Sequence, residues 1–191
     1  MSTPAPVPRV RDRGADLLVA LLRAHGVAQV MGVTGGAIME TMDALQAEAS
    51  LQLRILQTEM GAAWAAMGYA RTTGKVGVCV VTSGPAATNV VTPLADAQRD
   101  HVPLLVITGQ VPTFARHTDA FQETNITEIA APVVKKAFYL YRVEDIAEAV
   151  CEAFRLAQGR AAGAGPHRLY QGCPAGAGLL AGACAAVPIA R

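Results

Sequence analysis

Residues 74–89 read GKVGVCVVTSGPAATN, and this stretch decides the fold. Its first half, residues 76–81, is an unbroken apolar run rich in β-branched side chains, bounded by Gly74 and by Ser83-Gly84-Pro85. A strand that shows no polar alternation has no face for water, so it suits a parallel sheet covered by helices on both sides. The second half turns through glycine and proline into a helix-forming stretch, residues 86–98. PLLVIT at residues 103–108 is a second buried run of the same kind. Strand, helix, strand in this order is the rhythm of a doubly wound α/β fold with a mostly parallel sheet.

The same alternation extends outward. GADLLVALLRAHG, residues 14–26, places Leu17, Leu18, Leu21 and Leu22 at helical spacing before the stopping Gly26. A short apolar run at residues 30–33, a glycine turn at Gly35 and Gly36, and a helical pattern over residues 37–47 come next. LQLRILQ, residues 51–57, alternates as a strand, and EMGAAWAAMGYAR, residues 59–71, reads as a helix of small residues that can approach a neighbour closely. After residue 108 a long loop leads to an expected strand over residues 134–141 and an amphipathic helix over residues 143–157. Residues 1–10 are Pro-rich and expected to be flexible, residues 11–160 form the domain, and residues 161–191 are a Gly/Ala-rich tail with one expected short strand around residues 168–171. No internal repeat is present.

Composition narrows the function classes. At 191 residues the chain has the size of one domain. A formal charge of +1 with 16% charged residues leaves no basic patch to neutralise phosphates, so nucleic acid is not expected as a partner. A hydrophobic content of 52% and a mean hydropathy of +0.31 predict that apolar surface is covered by another chain in an oligomer. The opening MSTPAPVPRVRDR lacks the apolar core of a secretory signal, and no spanning segment is expected, which reads as a cytoplasmic protein. Cys79, Cys151, Cys173 and Cys184 form no CxxC pair, and His25, His101, His117 and His167 show neither zinc-ligand spacing nor a Ser/His/Asp pattern, so no metal site is expected.

Four places carry possible chemistry, each with a plainer reading beside it. Glu59 stands between an apolar strand and a helix of Ala, Gly and Met, where a carboxylate is either employed or simply an acid in a first helical turn. Residues 82–89, TSGPAATN, form a glycine-containing turn from strand to helix. Backbone N–H groups there can meet a polar ligand, or the stretch is an ordinary turn lacking the P-loop Lys-Ser/Thr. Residues 108–124, TGQVPTFARHTDAFQET, follow a buried strand and combine Gly, Pro, aromatic and amide residues, as suits a loop lining a cleft at the sheet's carboxyl edge or a surface loop. Lys135-Lys136 is either a cationic wall or a solvated strand edge.

Taken together, GVTGGAIMETMDAL, TEMGAAWAAMGYAR, GKVGVCVVTSGPAATN, LADAQRDHVPLLVITGQVP, TDAFQE and VEDIAEAV resemble, in order and spacing over residues 14–160, the N-terminal pyrimidine-binding domain of the acetolactate synthase family of thiamine-diphosphate enzymes. The resemblance implies that Glu59 hydrogen-bonds the N1′ nitrogen of the cofactor's aminopyrimidine ring, favouring the tautomer that deprotonates the thiazolium carbon. It implies decarboxylation of a small 2-oxo acid such as pyruvate, followed by carboligation. By positional match, Phe121, Gln122 and Lys135 are the other candidate catalytic residues. Gly35, Gly36, Thr82, Gly84, Asn89 and Gln110 are candidate cofactor contacts, and Arg160 matches an arginine that contacts FAD in members that carry it.

Departures from the family pattern bear on these expectations. GVTGG stands for GYPGG, Ala86 for the central glycine of TSGPGATN, Thr58 for the histidine before the glutamate, and the tail replaces the family's closing strand. No GDG followed by a downstream asparagine occurs in the sequence, although the family holds Mg²⁺ and the diphosphate with that motif. The resemblance therefore implies a separate diphosphate-binding chain carrying GDG…N and the Mg²⁺, and a site that is inactive without it. Two further readings stand beside this one: the alpha subunit of a split 2-oxo acid decarboxylase, and a non-catalytic remnant or regulatory interaction module.

Overall fold

The structure is a computed structural model that describes residues 13–159 and 186–189. Helix α1 (Gly14–Ala24) leads into strand β1 (Gln29–Gly32), helix α2 (Met39–Ala47), edge strand β2 (Gln52–Ile55) and helix α3 (Glu59–Thr73). Strand β3 (Gly77–Val81) is followed by the short helices α4 (Pro85–Asn89) and α5 (Val91–Arg99), then strand β4 (Leu104–Gly109), helix α6 (Ile126–Ala130), helix α7 (Glu144–Gln158) and strand β5 (Ala186–Ile189). The strands lie in the order β2-β1-β3-β4-β5, and every neighbouring pair is parallel. This is the doubly wound α/β sheet expected from the sequence.

Side chains alternate across the sheet and so build a core on each face. From β3, Val78 and Val80 point to one layer while Cys79 and Val81 point to the other; from β4, Leu105 and Ile107 oppose Leu104 and Val106 in the same way. The first layer packs α1, α2 and α7 through Leu18, Leu22, Leu45, Val150 and Phe154. The second packs α3 and α5 through Ala62, Ala66, Met67 and Leu94. Small residues on α3 let it sit hard against β3: a Cβ on Gly77 would lie 2.2 Å from the Ala66 carbonyl oxygen. Among the described residues no helix is long and apolar enough to cross a membrane.

Two expectations change. The helical stretch over residues 86–98 is broken at Val90 into α4 and α5. Pro93 supplies the reason, because it has no N–H to offer the Asn89 carbonyl and its ring would clash there. Residues 134–141 join no ladder; Val134, Phe138 and Leu140 are buried, while the free edge of β4 is taken by β5. Ala86, which stands where the family pattern has glycine, is buried within α4, and the positive φ falls on Gly84 instead. The Pro-rich opening and the expected strand at residues 168–171 lie outside the described residues.

Candidate functional site

In a parallel sheet of this order the crevice opens where successive connections leave in opposite directions, here between β1 and β3, at the carboxyl ends of the strands. The segments leaving those two strands touch. Thr82 Oγ1 accepts the Ala37 N–H at 3.2 Å, and a Cβ on Gly35 would fall 2.4 Å from Thr82 Cγ2, so only glycine fits. Gly36 has open space beside it. Gly84 has φ +63°, the left-handed region that favours glycine, and a Cβ there would meet the Gln122 carbonyl oxygen at 2.7 Å. The loop between β4 and α6 is thus laid directly over the turn that follows β3.

Glu59 reaches this edge as the first residue of α3. Thr58 caps the helix, its Oγ1 accepting the Gly61 N–H at 3.1 Å, which fixes the direction in which Glu59 leaves the backbone. The carboxylate is partly exposed rather than enclosed, and its Oε2 accepts a hydrogen bond from Asn89 Nδ2 at 3.0 Å. Beneath it lies Cys79, fully buried on β3. Burial pushes that thiol well above its ordinary value, and the negative charge of Glu59 adds to the effect. The amide thus holds one of the two carboxylate oxygens of Glu59.

The other sequence candidates divide. Gln110 is buried, and its side chain closes the β4–α6 loop: Nε2 donates to the Thr124 carbonyl at 2.9 Å, and Oε1 accepts the Val111 N–H at 2.8 Å. Phe121 is 87% exposed and Gln122 is half-buried beside Gly84. Lys135 goes elsewhere. Its Nζ donates to the carbonyls of Leu156 and Gly159, at 2.9 and 2.6 Å, at the carboxyl end of α7. Helix α7 runs alongside α1, with Ile146 beside Gly14 and the Phe154 ring stacked on His25. Its carboxyl end therefore lies with that of α1, at the sheet's opposite edge from Glu59. The unpaired carbonyls of a helix end attract a lysine there. Arg160 lies outside the described residues.

Glu123 had no mark in the sequence beyond its place in TDAFQE. Its carboxylate accepts the backbone N–H groups of His117 and Thr118, the latter at 3.2 Å. Those bonds, with that from His117 foremost, hold the carboxyl below the usual range. Among the described residues no group of three or more His, Cys, Asp or Glu side chains is placed to hold a metal ion.

A partly exposed carboxylate at a helix start, beside the switch point of a doubly wound sheet, defines an α/β ligand-binding domain. Residues 12–129 match the family model described as thiamine pyrophosphate enzyme, N-terminal TPP binding domain. Among curated proteins the chain is 48% identical over 150 residues to acetolactate synthase 1, chloroplastic, of Oryza sativa subsp. japonica, covering 78% of this chain and 23% of that protein. It is 48% identical over 145 residues to acetolactate synthase, chloroplastic, of Arabidopsis thaliana, with 76% and 22% covered. To the acetolactate synthase large subunit of Corynebacterium glutamicum it is 46% identical over 147 residues, with 77% and 24% covered. The chain belongs to the N-terminal domain family of the thiamine-pyrophosphate enzymes, in its acetolactate synthase group. It spans about a quarter of the length of these relatives.

Proposed function

We propose that this domain is the pyrimidine-binding half of an acetolactate synthase-like enzyme, completed by a separate diphosphate-binding chain that brings GDG…N and Mg²⁺ within an oligomer. The observation that carries the reading is the Glu59–Asn89 pair at the switch point. The donor set fits the cofactor: a carboxylate with one oxygen steadied by an amide can accept a proton from a ring nitrogen through the other. When bound, thiamine diphosphate supplies the carbon nucleophile and the electron sink for decarboxylating a 2-oxo acid such as pyruvate and joining the remainder to a second carbonyl compound.

The residues of this chain bind and orient. Glu59 would meet the ring nitrogen and exchange a proton with it, and Asn89 orients the carboxylate by its hydrogen bond to Oε2. The Gly35-Gly36 and Thr82-Ser83-Gly84 turns form the floor against which a flat ring can lie. Phe121 and Gln122, carried over that floor by the β4–α6 loop, line the substrate side. Gln110 acts by closing the loop. Lys135 is given no role in this reading, since its Nζ bonds the carbonyls at the end of α7.

The test is co-expression with a diphosphate-binding chain, purification of the complex, and measurement of pyruvate consumption with thiamine diphosphate and Mg²⁺. Parallel runs with and without FAD address the role implied for Arg160. Turnover that requires both chains is the expected result. A stable complex without turnover, in which wild type and Glu59→Gln behave alike, would leave a regulatory module as the function.

A further inference from the structure

Arg116, on the loop between β4 and α6, is only 7% exposed. Its guanidinium carbon lies 4.4 Å from the ring centroids of both Tyr139 and Tyr141, and Nη2 donates to the Leu140 carbonyl at 3.4 Å. Nε and Nη1 are buried without a hydrogen-bond partner among the described residues. Burying a guanidinium with unmet donors is costly, and the faces of two aromatic rings offset that cost. Such an arrangement persists where the surrounding structure depends on it.

The loop around Arg116 is itself under constraint. His117, Asp119 and Gln122 all take positive φ, at 58°, 56° and 61°, although none is glycine. Residues in that region stay there only when neighbours over-determine them. Gln110 ties the ends of the loop together, and Glu123 ties its middle. These bonds are internal to the loop. Arg116 binds it to a separate part of the chain, residues 139–141. One end of this clamped unit is Gln122, whose backbone lies against Gly84.

We propose that Arg116, gripped between Tyr139 and Tyr141, is a positioning residue that holds the β4–α6 loop where Phe121 and Gln122 meet the 2-oxo acid, and so sets substrate affinity. It takes no part in proton transfer, which stays with Glu59. The inference rests on the proposed function for the substrate it names, whereas the clamp is a property of the chain alone.

The experiment compares wild type, Arg116→Gln, Arg116→Lys and Tyr139→Leu. Each is assayed as full-length chain with its diphosphate-binding partner for pyruvate KM and kcat, and as the chain alone by amide hydrogen exchange. Arg116→Gln and Tyr139→Leu are expected to raise KM about tenfold with kcat changed less than about threefold. Exchange over residues 117–124 is expected to speed up while β3 and β4 keep their protection. Arg116→Lys, which retains a cation for the two rings, is expected to recover part of both effects. The proposal is overturned if loop exchange in Arg116→Gln equals that of wild type, if β3 and β4 lose protection equally, or if the Lys and Gln variants are indistinguishable. Should the wild-type complex show no turnover, the functional reading fails, and the exchange data alone still decide the clamp.

Discussion

The side chains of Asn89 and Glu59, 30 positions apart, meet in a 3.0 Å hydrogen bond that joins the end of α4 to the start of α3. The amide N–H can only donate to the carboxylate, so it fixes one of its two oxygens. Glu59→Gln is expected to lower turnover of the assembled enzyme by about 10²- to 10⁴-fold, the range for loss of a proton-transfer group. Asn89→Ala removes only the orientation and should cost about tenfold in kcat. Steady-state kinetics of the two variants, with thermal midpoints as the control for folding, check the ordering. A loss in Asn89→Ala as large as that in Glu59→Gln would count against an orienting role.

Gly84 meets two demands at once, a left-handed φ of +63° and the backbone of Gln122 pressed against the place where a Cβ would stand. Gly84→Ala is expected to destabilise the domain by about 1–3 kcal/mol and to displace the β4–α6 loop. Urea unfolding gives the first quantity, and protease cleavage within residues 110–124 reports the second. Wild-type values for both would show that the loop does not rest on this turn.

Phe154 is almost fully buried on α7, with its ring stacked on His25 at 4.2 Å between centroids. Phe154→Ala should cost about 3–5 kcal/mol, the usual range for emptying an aromatic site in a core. Gly77→Ala probes the opposite layer, where the new methyl would collide with the Ala66 backbone, and about 1–3 kcal/mol is expected. Equilibrium unfolding of both variants measures these values. Near-additivity is expected in the double variant, because the sheet separates the two sites.

The Glu123 carboxyl is held below its usual value first by the His117 N–H. A depressed carboxyl contributes stability that is present above the unfolded value of roughly 4.3 and is lost as pH falls through the folded one. The loop between β4 and α6 is therefore expected to loosen in acid below about pH 4, before the sheet does. Protease accessibility of residues 117–124 as a function of pH should show this transition. Glu123→Gln should abolish it and leave the loop equally loose at neutral pH.

Much of the fold is legible in the sequence because burial leaves a direct signature. Residues 76–81 and 103–108 lack polar alternation, and β3 and β4 are buried at every position. The break at Val90 is also written locally, in Pro93. Residues 134–141 are different: their apolar side chains are buried as a strand's would be, yet whether they join a ladder depends on a free edge, and β5 already holds the edge of β4. Apolar pattern reports that a side chain leaves water, and says nothing of which backbone it pairs with.

The site divides along the same line. Glu59, Gly84 and Gln122 stand out in the sequence because a carboxylate ahead of an apolar helix, a glycine turn after a buried strand and an amide beside an aromatic residue are each locally unusual. That Glu59 finds Asn89, that Gln122 lies on Gly84 and that Arg116 lodges between two tyrosines were settled only when the sheet brought distant segments together. Lys135 shows the limit most plainly: a long, flexible cation goes to whichever carbonyls are left unpaired, and those at the end of α7 lie on the opposite edge of the sheet. By itself the sequence determined which residues leave water and where the backbone must turn, since both are local properties of side chains. Tertiary structure alone decided which polar groups became partners, because hydrogen bonds and ion contacts require donor and acceptor to meet within about 3 Å, whatever their separation along the chain.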